Sequence, residues 1–333
     1  MNVNKTNTCL VTGATGFIGR QLCRRLQQEG SRVRVLLRGE ADGPWDETQC
    51  CTLGTDRVSA DVLAGVDTVY HLAGVVHAMA TADVDPSQYY AVNTVASEEL
   101  AKLAAAAGVR QFIYFSSVKA VADPGNECVD ESWQRPPNDP YGQSKREAEQ
   151  RLFAIGSESG MQVTVLRPAL VYGPAVKGNL WRMLQAIDNG RFPPLPDTGN
   201  QRSMVCVDDL IDAARLAADS PQADGQIYIV SDDAHYSTRQ LYDWMHEALG
   251  RNVPRWSIPV FVLRAGAWVG GLAGRMTGRQ LPLNPDVLQR LLGSACYRSD
   301  KIQQQLGWRP RRHLRDSLPG MVSAYRIAAP GPD

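Results

Sequence analysis

The stretch Thr12-Gly13-Ala14-Thr15-Gly16-Phe17-Ile18-Gly19 decides the fold class of this chain. It follows the apolar run from Cys9 to Val11, and apolar residues then recur every four positions at Ile18, Leu22 and Leu26, as on one face of a helix. Glycines between a strand and a helix let the backbone turn sharply and approach a pyrophosphate, whose charge is favoured at a helix N-terminus. The pattern predicts a dinucleotide-binding turn. Its expected ligands are Gly13, Gly16, Phe17, Ile18 and Gly19.

Short apolar runs alternate with helical patterns through the first half of the chain. The segment from Ala96 to Ala107 is rich in alanine, the strongest helix former, and is followed by Gly108. Such an alternation is typical of a parallel sheet with helices on both faces, so the predicted fold is an α/β, Rossmann-type doubly wound sheet. The predicted strands are Cys9 to Val11, Val33 to Leu37, Thr68 to Leu72, Gln111 to Phe115 and Val163 to Leu166.

The regular alternation of apolar runs and helical patterns ends after Pro174, where a proline-rich loop and further predicted helices follow. Helices are predicted near Asp208 to Ala218 and Thr238 to Leu249, on either side of a strand from Gln226 to Val230. We expect a Rossmann domain over residues 1–174 and a smaller substrate-binding lobe over residues 175–327, with some segments returning to the first domain. Residues 328–333 are predicted to be a disordered tail.

The composition is that of an ordinary globular protein. Of the 333 residues, 44% are hydrophobic, which is enough to bury a sizeable core. The 35 Lys and Arg residues equal the 35 Asp and Glu residues, so no net positive charge attracts nucleic acid or anionic lipid. Seven cysteines without CxxC spacing, and no histidine cluster, predict reduced structural cysteines and no metal site. The polar start MNVNKTN lacks the regions of a signal peptide, which predicts a cytoplasmic protein.

The most apolar later stretch runs from Ile258 to Leu272. It contains Pro259, is interrupted by Arg264, and with 15 residues is short for a membrane-spanning helix. We therefore predict no membrane span here. The stretch is interpreted as a buried or interface helix, in preference to a helix that lies on a membrane surface.

A tyrosine and a lysine stand at helical spacing in the middle of the chain. Tyr141 and Lys145 are one turn apart, and Pro140 suits the start of their helix. A phenol has an ordinary pKa of ~10, which a nearby ammonium group lowers by stabilising the phenolate. Ser117 follows a predicted strand, at the edge where open parallel sheets bind ligands, and its hydroxyl could bind a reacting oxygen. The predicted catalytic residues are Ser117, Tyr141 and Lys145.

The end of the second predicted strand bears on the identity of the cofactor. An acidic residue there commonly binds the ribose hydroxyls of NAD, whereas an arginine can pair with the extra phosphate of NADP. Here the strand Val33 to Leu37 is followed by Arg38, with Glu40 two residues further on. The predicted cofactor is NAD or NADP, and Arg38 favours NADP slightly. The alternative is a solvated Arg38, with NAD held through backbone contacts.

An ordered set of short motifs extends over almost the whole chain. After the glycine-rich turn come His71-Leu72-Ala73-Gly74, Asn93, Phe115 to Lys119 (FSSVK), Tyr141 to Lys145 (YGQSK), Arg167-Pro168, Val171 to Pro174 (VYGP), Arg202, Val207 to Leu210 (VDDL) and Leu306 to Pro310 (LGWRP). The chain resembles the extended short-chain dehydrogenases that act on nucleotide-diphosphate sugars, the NAD-dependent epimerase/dehydratase family. The resemblance implies an NAD(P)-dependent enzyme that forms a homodimer through helices packed as a bundle.

The resemblance also implies roles for individual residues. Tyr141 is expected to be the acid/base, and Lys145 to hold the nicotinamide ribose as well. Asn179 and Arg202 are expected to bind the diphosphate of the substrate, a UDP-sugar. The residues assigned to the cofactor, besides the glycine-rich turn and Arg38, are Leu72, Ala73, Asn93, Ser116, Lys145 and Pro168.

Several polar residues also have ordinary structural explanations. Arg202 could cap or solvate the apolar strand that it precedes, and Asn179 could cap a helix from Leu180 onward. His71, inside an apolar strand, is more typical of a hydrogen-bonded core histidine than of a catalyst. The histidines interpreted as surface or packing residues are His77, His235 and His246.

Two departures from the family pattern leave the sugar open. Thr94 to Ser97 lack the glycine that is common after Asn93, and Val118 to Ala122 lack the tyrosine-glycine pair of many sugar epimerases. The FSSVK segment and Lys177-Gly178-Asn179 are most similar to bacterial surface-polysaccharide (O-antigen) enzymes that act at position 4 of UDP-N-acetylhexosamines.

The favoured reaction is reduction of a 4-keto UDP-6-deoxy-N-acetylhexosamine, because no acidic residue at the second strand tip clamps the cofactor through two half-reactions. One alternative is a 4-epimerase of UDP-glucose or UDP-N-acetylglucosamine. Another is a non-catalytic, cofactor-sensing protein of the same fold. Such a protein needs the glycine-rich turn but not Ser117, Tyr141 and Lys145 together, so the sequence favours an enzyme.

Overall fold

A computed structural model describes residues 7–76, 85–121, 123–277 and 283–328 of the chain. The strands are β1 (Thr8–Thr12), β2 (Arg32–Leu37), β3 (Glu47–Cys50), β4 (Thr68–His71), β5 (Gln111–Phe115), β6 (Cys128–Val129), β7 (Gln162–Pro168), β8 (Leu170–Tyr172), β9 (Arg202–Cys206), β10 (Gln226–Val230), β11 (His235–Tyr236) and β12 (Cys296–Tyr297).

The helices lie mostly between these strands. They are α1 (Phe17–Gln28), α2 (Pro86–Tyr89), α3 (Ala96–Ala106), α4 (Pro140–Ser159), α5 (Asn179–Asp188), α6 (Val207–Asp219), α7 (Thr238–Leu249), α8 (Val260–Thr277), α9 (Pro285–Leu292), α10 (Asp300–Leu306) and α11 (Leu314–Ala328). A π-helical segment, Tyr90–Val95, joins α2 to α3.

Seven parallel strands form the central sheet in the order β10-β7-β5-β4-β1-β2-β3. The chain leaves β1 toward β2 on one side and returns as β4 on the other, which makes the β1/β4 boundary the switch point where such sheets bind ligands. The predicted doubly wound sheet is confirmed, and each predicted strand lies within a strand of this sheet or ends one residue beyond it. The strand β3 was not predicted, because it is a polar edge strand (Glu47–Cys50) with no apolar run.

Apolar clusters cover both faces of the sheet. Neighbouring residues of β1 point to opposite faces, as the period of a strand requires, so Val11 lies in one cluster and Leu10 in the other. The first cluster includes Leu22 of α1 and Leu210 of α6, and the second includes Leu100 of α3 together with α4 residues. Helices on both faces therefore bury the sheet and leave its strand ends as the accessible edge.

The second half of the chain contributes to two parts of the fold. Its strand β10 and helix α6 join the central sheet and its first apolar cluster, in agreement with the expected return of later segments to that sheet. The helices predicted near Asp208 to Ala218 and Thr238 to Leu249 are α6 and α7. The strands β8, β9 and β11 form a separate sheet. A domain boundary near residue 174 remains a prediction.

Two predictions about the later part of the chain need correction. The stretch Ile258 to Leu272 is mostly the helix α8, but only Leu263 and Ala267 of this helix are buried. Of the two predicted alternatives, the buried helix is therefore wrong, and the interface helix stays a prediction. The reason is that α8 packs through one face. Ala328 ends helix α11, and the rest of the predicted tail, residues 329–333, lies outside the described residues.

Within the described ranges, no helix is long and apolar enough to cross a membrane.

The cysteines also differ from prediction. Cys128 and Cys296 form a disulfide that joins the paired strands β6 and β12, although 168 residues separate them in sequence. The prediction of seven reduced cysteines is therefore wrong, since sequence order conceals this proximity. His235 Nε2 lies 3.4 Å from Cys296 Sγ, so two cysteines and a histidine meet where the sequence showed no such cluster. The cysteines that remain free are Cys9, Cys23, Cys50, Cys51 and Cys206.

We expect thiol titration to detect this disulfide. Protein purified without reductant and then denatured should expose five reactive thiols, and seven after reduction, because only Cys128 and Cys296 are paired. The variant Cys128→Ser should expose six thiols in both states. Seven thiols in the unreduced wild-type protein would show that the disulfide does not form.

Candidate active site

The glycine-rich turn after β1 is closely packed against the end of β4. A Cβ atom on Gly13 would lie 2.8 Å from the Ala73 nitrogen, and Gly13 has a φ of +71°. A Cβ on Gly19 would overlap the Gly13 carbonyl oxygen. Helix α1 follows Gly16, and no side chain caps its first N–H groups. These groups are therefore available to a phosphate, and the turn has the shape that a dinucleotide such as NAD requires.

A buried hydrogen-bond chain holds the ends of β1 and β4 together. Thr12 Oγ1 shares a hydrogen bond of 2.7 Å with His71 Nδ1 and accepts another from the Ala73 nitrogen. His71 Nε2 is 2.8 Å from Ser97 Oγ. Burial, and to a smaller extent the charge of Lys145, lowers the pKa of His71 to about 3. His71 is thus a neutral core histidine, as the sequence indicated.

Asn93 connects the segment after β4 to helix α4. Its Oδ1 accepts from the Val75 nitrogen at 2.8 Å, and its Nδ2 donates to the Val75 carbonyl and to Ser144 Oγ. The residue is completely buried and lies in the π-helical segment Tyr90–Val95. Asn93 therefore positions the partly exposed residues Leu72 and Ala73 beside the glycine-rich turn.

The structure brings the three predicted catalytic residues to the carboxyl edge of the sheet. Tyr141 and Lys145 lie on α4, whose start is capped by Asp139 through the Gly142 nitrogen. The Ser117 hydroxyl lies close enough to the Tyr141 phenol to lower its pKa. Lys145 Nζ donates to the Phe115 carbonyl at 3.0 Å, two residues before Ser117. The strand end of β5 and the first turns of α4 therefore form one polar site.

The protonation of Tyr141 differs from the sequence-based expectation. Burial raises the pKa of Tyr141 to about 12, while the hydrogen bond with Ser117 lowers it. Burial also lowers the pKa of Lys145 to about 8, against the opposing effect of Glu149. The expectation of a lowered tyrosine pKa is thus wrong for the protein alone. The cost of burying a phenolate outweighs the effect of Ser117, and the charge of Asp139 raises the pKa further.

A buried ion pair between Glu149 and Arg167, one helical turn beyond Lys145, was not predicted. Glu149 follows Lys145 by one helical turn and forms two hydrogen bonds with Arg167 of β7, at 3.0 and 2.5 Å. The Ser116 hydroxyl also donates to Glu149. Glu149 and Arg167 are 2% and 5% exposed, so each ion depends on the other for its solvation. The four-residue spacing from Tyr141 through Lys145 to Glu149 could have indicated that Glu149 lies on the same face of the helix.

The other predicted cofactor residues lie along the same edge of the sheet. Pro168 is buried at the end of β7, where it pairs with Val230 of β10. The Ser116 hydroxyl is committed to Glu149, and Arg38 is exposed just beyond β2. Contacts of Ser116, Pro168 and Arg38 with a cofactor remain predictions.

Arg202 begins strand β9 and is held by carbonyl groups at the end of α9. Its Nη1 donates to the Arg290 carbonyl at 2.6 Å and to the Gly293 carbonyl at 3.2 Å. Burial raises the pKa of Tyr297, Asp123 and Asp139 raise it further, and Arg202 opposes them, so Arg202 and the α4 cap act on one tyrosine. Within the described residues, Nε and Nη2 of Arg202 have no hydrogen-bond partner and are free for an anion.

Asn179 is exposed in the first turn of α5. Gly178, with a φ of +81°, occupies the cap position, and no side chain caps this helix. The interpretation of Asn179 as the helix cap is therefore wrong. Of the remaining histidines, His246 is buried and bonded to the Tyr242 carbonyl, His235 lies beside Cys296, and His77 falls outside the described residues.

The sheet, the glycine-rich turn and the Ser-Tyr-Lys site together define a class of nucleotide-dependent enzymes. A family model described as the NAD dependent epimerase/dehydratase family matches residues 9–231, two thirds of the chain. The chain belongs to this family.

Individual relatives match nearly end to end. The chain is 31% identical over 327 residues to a UDP-glucose 4-epimerase of Vibrio cholerae, covering 95% of this chain and 94% of the relative. It is 24% identical to an N-acetyl-alpha-D-glucosaminyl-diphospho-ditrans,octacis-undecaprenol 4-epimerase of Escherichia coli O157:H7, covering 88% of each chain. The structure of MoeE5 in complex with UDP-glucuronic acid and NAD has the same fold, with a TM-score of 0.77 at 22% identity, over 97% of this chain and 100% of that one.

We expect the Glu149–Arg167 pair to dominate the local stability of the site. Glu149→Ala should lower the free energy of unfolding by about 3–5 kcal/mol, because it leaves the buried Arg167 charge without its partner. Urea unfolding measures the change. The matched control is Glu158→Ala, an exposed position on the same helix, which should change stability by less than ~0.5 kcal/mol. Equal effects of the two substitutions would contradict this assignment.

Proposed function

We propose that this protein is a 4-epimerase of a nucleotide-diphosphate sugar, with Tyr141 as the acid/base. The observation that carries the proposal is the meeting of Ser117, Tyr141 and Lys145 at one edge of the sheet, beside a turn shaped for a dinucleotide. Two relatives named as 4-epimerases, one matched over nearly its whole length, support position 4 of a sugar as the reacting carbon.

Each residue of the site has a distinct task in this proposal. Bound NAD supplies the hydride acceptor and a positively charged ring. Tyr141 transfers the proton of the sugar hydroxyl, and Ser117 donates a hydrogen bond to the same oxygen. Lys145 holds the ribose and adds positive charge near the phenol. With a pKa of about 12 in the protein alone, Tyr141 is a neutral phenol at pH 7, the form that donates a proton when the 4-keto sugar is reduced. In the oxidising half-reaction Tyr141 would have to accept the hydroxyl proton as a phenolate, the form that the positive charges of Lys145 and of bound NAD would stabilise.

The substrate diphosphate is assigned to Arg202. Its Nε and Nη2 have no partner among the described residues, while Nη1 is anchored to two carbonyl groups, so the guanidinium is held with one edge free. A guanidinium edge of this kind matches the geometry of a phosphate. We assign Asn179 to the same substrate because it is exposed at a helix start without a cap. A UDP-sugar and a homodimeric assembly are part of the proposal.

Reduction of a 4-keto UDP-6-deoxy-N-acetylhexosamine is the second candidate. Arg38 is exposed directly after β2, and the strand ends without an acidic residue, which suits an exchangeable cofactor and one that carries an extra phosphate. A reductase consumes external NADH or NADPH, whereas an epimerase regenerates its own cofactor. The two candidates therefore differ in whether added reduced cofactor is consumed during the reaction.

A pair of assays separates the two candidates. Protein purified without added cofactor is given UDP-glucose or UDP-N-acetylglucosamine, and the 4-epimers are measured by chromatography. In parallel, a UDP-linked 6-deoxy-4-keto-N-acetylhexosamine is supplied with NADH or NADPH, and loss of absorbance at the reduced-cofactor band is followed. Epimer interconversion without net oxidation of added cofactor is the expected result. Stoichiometric cofactor oxidation with no epimer formed would assign the reductase instead.

We expect Tyr141→Phe to lower turnover by roughly 100-fold or more, because a positioned acid/base contributes about two to four decades. Cofactor binding, measured by calorimetry, should change little, since the phenol acts on the sugar hydroxyl. Tyr90→Phe removes a phenol from an exposed position and serves as the matched control. Unchanged turnover in Tyr141→Phe would remove this tyrosine from the mechanism.

A further inference from the structure

Helix α8 exposes an apolar surface. The exposed apolar side chains of α8 are Phe261 (73% exposed), Val262, Trp268 (66%), Val269, Leu272 and Met276 (81%). Trp256, just before the helix, is exposed as well. Single exposed hydrophobic residues are common, but a contiguous set with three large aromatic or sulfur-containing side chains marks an interaction surface.

The apolar residues share one side of the helix. At 100° per residue, they fall within an arc of about 120°, opposite the buried residues Leu263 and Ala267. A Cβ on Gly270 would overlap the Leu283 carbonyl oxygen, so the glycine lets α8 lie directly against the chain that leads into α9. One face of α8 therefore attaches the helix to the protein, and the opposite, apolar face points outward along its whole length.

The charged residues on and just before α8 are arginines. Residues 251–285 contain five arginines and no Asp or Glu, and the next acidic residue is Asp286 in the first turn of α9. Of these arginines, Arg251 is paired with Asp188. Arg255, Arg264 and Arg275 are exposed and form no ion pair within the described part of the chain. Arg264 and Arg275 lie on the same edge of the apolar arc at the 100° spacing, about three turns apart along the helix. The surface is thus apolar in the middle and positively charged at its border.

These charges indicate what covers the surface. A symmetric contact made by α8 against its own copy would bring both sets of arginines to one interface, where residues 251–285 offer them no acidic partner. An anionic lipid surface instead offers phosphates to the arginines and an apolar layer to the aromatic side chains, which prefer the membrane interface. The balanced charge of the whole chain does not prevent this, because the attraction acts within a Debye length of the surface.

We propose that α8 docks in the plane of an anionic lipid bilayer, with Phe261 and Trp268 inserted among the acyl chains and Arg264 and Arg275 at the phosphates. The helix packs against α9, whose last carbonyl groups bind Arg202, so the docking face belongs to the same part of the fold as Arg202. The proposal is independent of the reaction that the enzyme catalyses.

The test is flotation of the full-length protein with vesicles. One vesicle preparation is pure phosphatidylcholine, and the other contains phosphatidylglycerol and phosphatidylcholine in equal amounts. We expect the protein to float with the anionic vesicles at low salt, to bind the neutral ones at least tenfold more weakly, and to dissociate as the salt concentration rises.

Two pairs of variants separate specific docking from general adhesion. Phe261→Ser/Trp268→Ser should weaken vesicle binding by at least tenfold, whereas Ile327→Ser, an equally exposed apolar position on α11, should not. Arg264→Gln/Arg275→Gln should weaken binding to anionic vesicles by roughly tenfold or more. Its control, Arg24→Gln/Arg57→Gln, removes the same charge from two exposed positions that form no ion pair with a described residue, and it should leave binding unchanged.

Two results would overturn the proposal. One is flotation that is absent, or that responds equally to the α8 variants and their controls. The other is sedimentation showing that Phe261→Ser/Trp268→Ser converts a dimer to a monomer while wild-type protein ignores vesicles, which would make α8 a contact between subunits. Turnover of a water-soluble sugar nucleotide by the α8 variants should equal that of the wild type, and this measurement reports separately on the proposed reaction.

Discussion

Neither Gly13 nor Gly19 has room for a single additional carbon atom, and the rest of the site is arranged around this constraint. The backbone at Gly13 lies against Ala73, which holds the ends of β1 and β4 together at the switch point of the sheet. The hydrogen bonds of Thr12 and His71 fasten the same two strands from within. A phosphate can approach α1 only because these elements leave its first N–H groups uncovered.

The polar side of the site depends on a row of buried residues on α4. Tyr141, Lys145 and Glu149 follow one another at four-residue spacing, and all three are less than a tenth exposed. Burial makes a phenolate and an ammonium costly, which is why the pKa of Tyr141 rises while that of Lys145 falls. The Glu149–Arg167 pair supplies buried charge next to Lys145, so the stability of the core and the ionisation of the site depend on the same contacts.

The later half of the chain contributes the last strand of the central sheet and the residues assigned to the substrate. Strand β10 completes the sheet, while Arg202 and Asn179, which we assign to the substrate, lie on elements outside it. The end of helix α9 binds Arg202, and α9 also packs against α8, which carries the exposed apolar surface and its arginines.

The amino-acid sequence by itself determined the elements whose signals are local. The glycine-rich turn, the apolar runs of the central sheet and the one-turn spacing of Tyr141 and Lys145 are all periodic over a few residues, and the structure places them as expected. The strand β3, the Cys128–Cys296 bond and the partnership of Glu149 with Arg167 were decided only by tertiary structure.

The physical reason is the range of the interactions. Hydrophobic periodicity involves residues that are close together in the sequence. An edge strand, by contrast, forms only where a neighbouring strand can pair with it. A disulfide across 168 residues depends on where two strands meet. The pKa of Tyr141 was misjudged from sequence for the same reason, since desolvation depends on every group packed around the phenol. Likewise, the chain that leads into α9 packs against α8 at Gly270 and so decides which side of α8 is covered. Phe261 and Trp268 lie on the other side and remain exposed.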